Sequence, residues 1–132
     1  MKSNSLKQAN SLRRVLNHFS MSFEVRTTPH FEREAKALAK RYHSFKDDLN
    51  KLIDLLSEDP IQGIGLGSGI RKIRLAITSK GRGKAGGARI ITYTVCFSES
   101  SGRVYLIDVY DKADYSTANV TIIKGMISDL GL

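Results

Sequence analysis

A chain of 132 residues is long enough for one domain with its own core, and 41% apolar content fits a globular fold. No apolar run nears the roughly 20 residues that a membrane span needs. The single cysteine excludes an internal disulfide and a cysteine-rich metal site, so a reducing cytoplasm fits best, and the net charge of +8 asks for a polyanionic partner.

Residues 1–20 carry Lys2, Lys7, Arg13 and Arg14 and no acid, with Leu6, Ala9, Leu12, Leu16 and Phe19 at helical spacing. They read as a basic extension poorly packed on the rest. As a transit peptide the composition is weak, with only two arginines. The domain itself is expected over residues 21–132.

Residues 22–27 alternate as a first strand. Thr27 or Thr28 can cap a helix with Pro29 in its first turn, and Phe31, Ala35, Leu38, Ala39 and Tyr42 recur at helical spacing. Ser44 opens a second helix, with Asp47 as the capping acid and Leu49, Leu52, Ile53 and Leu56 as its apolar stripe; Pro60 stops it. The short break at His43 and Ser44 predicts an antiparallel helical hairpin whose charges are solvated. Gly63, Gly65, Gly67 and Gly69 alternate through a loop that matches neither glycine-rich nucleotide-binding pattern.

Strands are expected over residues 70–77, 88–97 and 103–110, with a turn at 99–102 joining the last two into a hairpin. Cys96 reads as a buried thiol within the second of them. Residues 117–130 read as a short helix ending at Gly131. The order β-α-α-β-β-β-α predicts an α+β domain: a small, mainly antiparallel sheet with the helices on one face.

The positive charge is local. Residues 61–98 hold Arg71, Lys72, Arg74, Lys80, Arg82, Lys84 and Arg89 and no acid. Alternation points Ile73, Leu75 and Ile77 into the core and Lys72 and Arg74 away from it. Lys80, Arg82 and Lys84 stand on a glycine-rich rim whose backbone can approach a phosphate closely, and Arg89 opens the next strand. A merely solvated basic surface would also give such a cluster, but no carboxylate lies in the stretch to balance it. His18, His30 and His43 lie upstream. Asp108, Asp111 and Asp114 read as solvent-facing, or as counterions to Lys112, rather than as a Mg²⁺ set. What remains open to such a site is metal-free RNA cleavage. The 2′-hydroxyl is the nucleophile, a lysine crowded by other cations can act as base, and arginine suits the charged phosphorane.

Three segments in order resemble RelE-type toxins of bacterial toxin–antitoxin modules, closest to the HigB branch. They are Gly69-Ile-Arg-Lys-Ile-Arg-Leu75, Ser79-Lys-Gly-Arg-Gly-Lys-Ala-Gly-Gly-Ala-Arg-Ile-Ile-Thr-Tyr93 and Val104-Tyr-Leu-Ile-Asp-Val-Tyr-Asp-Lys112. The resemblance covers about residues 22–130. It implies a RelE-like fold and a ribosome-dependent messenger-RNA endonuclease without metal or cofactor. Its partners would be the 70S ribosome, mRNA and an antitoxin from the same operon, expected to be a helix-turn-helix protein that alone carries the pair to operator DNA. By position it gives Lys72, Arg74, Arg89 and Lys112 catalytic roles, with Arg89 as phosphate clamp and Tyr115 as the nearest candidate for the catalytic tyrosine. Arg71, Lys80, Arg82 and Lys84 would bind RNA. The chain departs from RelE at Ala113, where RelE has arginine, and in the offset of Tyr115. Two other readings stay open: a gyrase inhibitor like the ParE branch, and a non-catalytic RNA- or DNA-binding module using Tyr93, Tyr105 and Tyr110 to stack bases.

Overall fold

The computed structural model describes residues 22–114 and 119–132. Along the chain run β1 (Ser22–Thr27), α1 (Pro29–Arg41), α2 (Phe45–Glu58), β2 (Ile64–Gly67), β3 (Ile70–Leu75), a 3₁₀ turn (Thr78–Lys80), β4 (Ala88–Cys96), β5 (Ser101–Asp111) and α3 (Val120–Asp129). The five strands form one sheet in the order β1-β5-β4-β3-β2. β1 lies parallel to β5 and every other pairing is antiparallel. The α+β class, the helical hairpin, the mainly antiparallel sheet and the short C-terminal helix expected from the sequence are all present. Residues 1–20 and Tyr115 lie outside the described residues.

Two apolar layers sandwich the sheet. Phe31 and Leu38 of α1 and Phe45, Leu52 and Leu56 of α2 pack on Phe23, Ile73, Ile90, Val104, Leu106 and Val109. Each such side chain contributes about 1.5–3 kcal/mol when fully buried. The second layer joins Ile70, Ile91, Tyr105, Ile107 and Tyr110 to Ile123 of α3. The C-terminal helix therefore covers the opposite face from the hairpin, because β4 and β5 present apolar residues on both faces. The expectation of helices on one face alone does not hold. α3 takes its cap from Asn119, whose side chain accepts from the Ile122 amide.

Other differences have local causes. The alternating glycines build β2, a short edge strand on β3 with an irregularity between Gly65 and Gly67. Gly63, with φ of 68°, lies so close to β3 that a Cβ there would stand 2.1 Å from the Lys72 carbonyl. Thr28 precedes α1, but its hydroxyl donates to the Leu106 carbonyl and ties the helix to β5. At the start of α2 the working acid is Asp48, not Asp47. Its carboxylate accepts from Ser44 Oγ and from the amide and hydroxyl of Thr78. Cys96 ends β4 and is exposed, not buried. No helix among the described residues is long and apolar enough to cross a membrane.

A register shift next to Ile91 and Thr92 makes Ile107 an extra residue in β5. It reverses the alternation, so that Val109 and Asp111 face the helical hairpin while Tyr110 faces away. Asp111 is only 1% exposed. It is thus not solvent-facing. Its carboxylate accepts from Lys80 Nζ at 2.6 Å, from the Tyr42 hydroxyl at 2.6 Å and from Arg41 at 3.2 Å. Burial alone would raise its pKa, but these donors hold it down to about 2 from an ordinary 3.8. A depressed carboxylate contributes stability that is complete above its unfolded pKa and is lost as pH falls through the folded one. Asp111→Asn should cost on the order of 3–5 kcal/mol in urea unfolding, since it leaves Lys80 buried without its anion. The variant should also lose much of the parent's decline in stability between pH 4 and pH 2.

Candidate nucleic-acid interface

On the face of β3 away from the hairpin, Lys72 and Arg74 stand two residues apart, as alternation requires. β4 sets Arg89 directly opposite Arg74. Lys112 follows the end of β5, its amide donating to the Gly87 carbonyl at 3.0 Å. These four cations and Lys84 line one cavity of about 840 Å³. The strand–loop–strand unit of residues 72–89 and the end of β5 thus meet, and the like charges of Arg74 and Arg89 oppose each other across two strands.

Arg89 differs from its neighbours. It is 5% exposed, and its guanidinium donates to the carbonyls of Lys84 at 2.9 Å, Ala85 at 3.0 Å and Ala88 at 3.2 Å. Burial first, and Arg74 second, push its pKa below the ordinary arginine value. Arg89 therefore holds the glycine loop from beneath while adding its charge to the cavity wall. Arg74 is exposed and Lys72 half-buried, both open to a ligand.

The loop is a built structure rather than a flexible rim. Asp48 fastens its first turn through Thr78; burial would raise that carboxyl, and the Thr78 and Ser44 hydrogen bonds hold it below its usual range. Arg89 fastens the far limb. Gly81 and Gly83 adopt φ of 74° and 61°, and a Cβ on Gly87 would lie 2.1 Å from the Leu75 carbonyl. Arg82 and Lys84 stay exposed on the loop.

Two residues assigned to RNA binding are otherwise engaged. Lys80 turns to the hairpin face, where its side chain is 12% exposed against Asp111 and 5.5 Å from the Tyr42 ring centroid. Arg71 faces away from Lys72 and donates to the carbonyls of Gln62 and Gly63, pinning the approach to β2. Asp108 pairs with His30, Asp111 with Lys80 and Tyr42, and Arg41 bridges Asp111 and Asp114. No cluster of three potential metal ligands occurs among the described residues. Of the tyrosines considered for stacking, Tyr105 and Tyr110 are buried in the layer beneath α3 and Tyr93 is half-buried.

Sequence reasoning missed α2 as a wall of the site. Asp48, Lys51 and Leu55 line the cavity, although helix charges alone read as solvated. No spacing signal marks Lys51 as part of it. No protein-family model matches the chain.

Arg89→Met should keep the fold, since the methionine stem fills much of the same space, but release the loop. Limited trypsin digestion should then cut after Arg82 and Lys84 well before the parent protein is cut there. Equal resistance of the two proteins would mean that the carbonyl contacts do not order the loop.

Proposed function

We propose that this chain is a ribosome-dependent mRNA endonuclease acting in the cytoplasm without a metal. In this reading it is the toxin of a type II toxin–antitoxin module, resembling the HigB branch of RelE-type toxins, and an antitoxin from the same operon restrains it. The observation that carries the reading is the gathering of Lys72, Arg74, Lys84 and Arg89, from β3, β4 and the loop between them, with Lys112 from the end of β5, on one cavity. A field of that density concentrates an anionic strand and favours a transition state richer in negative charge than the substrate.

The chemistry needs only the RNA and this wall. The 2′-oxygen attacks the adjacent phosphorus, and its proton passes to a base, for which Lys72 and Lys112 are the cavity's candidates. The bond from phosphorus to the 5′-oxygen breaks, and that oxygen takes up a proton. The products are a 2′,3′-cyclic phosphate and a 5′-hydroxyl. Arg74, exposed and always charged, supplies a fork for the non-bridging oxygens. Arg89 supplies charge from beneath and keeps Lys84 over the cavity, a role compatible with its engaged donors. Arg82 and Lys84 supply the exposed contacts to ribosomal RNA.

Arg74→Ala should lower cleavage on ribosomes by about a hundredfold or more while leaving the melting temperature unchanged, because Arg74 is exposed. Fragment analysis of the parent reaction should give cyclic or 3′-phosphate ends. A 3′-hydroxyl with a 5′-phosphate on the downstream piece would point to an activated water and overturn the scheme.

A further inference from the structure

One side of β1 pairs with β5, and no strand lies beyond its other side among the described residues. The ladder to β5 fixes which backbone groups are left there. The Ser22 amide donates to the Ser100 carbonyl, and backbone polar groups turn to alternate sides along a strand. Ser22, Glu24 and Arg26 therefore direct their amides and carbonyls to β5, whereas Phe23, Val25 and Thr27 direct theirs outward. An edge of this kind is a template for another strand unless its side chains repel one. Past Thr27 the chain turns inward, with the Thr28 hydroxyl tied to the Leu106 carbonyl of β5.

The side chains of β1 suit one strand in particular. Phe23 and Val25 pack into the core on the hairpin face, so Glu24 and Arg26 share the opposite face, where both are half-exposed. Two antiparallel copies of β1 centred on Val25 bring Glu24 of each opposite Arg26 of the other. These pairs fall at the non-hydrogen-bonded positions, where side chains lie closest. Phe23, Val25 and Thr27 fall at the hydrogen-bonded positions, where their outward amides and carbonyls meet. We infer that β1 is a self-association edge, pairing in this register with β1 of a second copy to join two five-stranded sheets about a two-fold axis. Like charges along an edge repel a second copy; opposite charges placed symmetrically about its centre attract one. Glu24 already accepts from Arg26 of its own strand and lies 3.5 Å from Arg103. An exposed pair within one strand contributes little, so Arg26 of the second copy can take its place. The axis stands perpendicular to the joined sheet, so Lys72 and Arg74 of both copies face the same side. The inference is independent of the RNA reading.

Sedimentation velocity on the full chain over a concentration series tests this. The parent should show a reversible monomer–dimer equilibrium with Kd about 100 μM, weak because one short strand edge is smaller than a standard interface. Arg26→Glu and Glu24→Arg should each raise that Kd about tenfold or more, since like charges then face each other at both pairs. An equimolar mixture of the two variants should regain the parent's dimerisation, because opposite charges meet again in the mixed pair. The double variant Glu24→Arg/Arg26→Glu should regain it alone. Recovery is the decisive reading, since mixing cannot repair a fold that a single swap has damaged. A parent that stays monomeric up to about 1 mM overturns the inference. A dimer whose Kd neither single swap moves overturns it too, as does failure of both the mixture and the double variant to recover.

Discussion

The buried carboxylate of Asp111 organises this molecule. It gathers Lys80 from the turn after β3, and Arg41 and Tyr42 from the end of α1, onto the last residue of β5. A buried anion is tolerated only when its lone pairs are filled by donors, and here three side chains fill them. Loop, helix and strand are thereby held in one arrangement. Asp48 does the same for the first turn of the loop through Thr78. Both carboxylates serve the face of the sheet that carries the helical hairpin.

That division of charge produces the other face. With Lys80 drawn to Asp111, the cations that line the cavity are those of β3, β4 and the loop tip, with Lys112 and Lys51 of α2. Arg74 and Arg89 oppose each other directly, and burial makes the Arg89 charge costlier to hold. Three backbone carbonyls offset part of that cost. An anion bound there would offset more of it. The loop that Arg89 supports is what brings Lys84 to the same place.

Much of the fold was legible in the residues. Proline, serine and apolar spacing marked the hairpin, and alternation in β3 correctly separated Ile73 and Leu75 from Lys72 and Arg74. Sheet positions set by long-range pairing were harder to read. The alternating glycines concealed β2, whose existence depends on β3 lying alongside. The extra residue at Ile107 leaves no compositional trace, yet it turns Asp111 inward and so draws Lys80 away from the cavity cations. Arg71 and Lys80 are chemically indistinguishable from Lys72 and Lys84 in a sequence; only their neighbours in space separate structural from exposed cations. Cys96 sat in an apolar run but falls at the exposed last position of its strand.

Inducing the chain alone in a bacterium and mapping transcript 5′ ends tests the central claim most directly. Cleavage at a cationic, ribosome-positioned site predicts new ends confined to translated regions, and their loss when translation of a given message is blocked. Intact transcripts accompanied by DNA-damage signalling would contradict it and turn attention to gyrase.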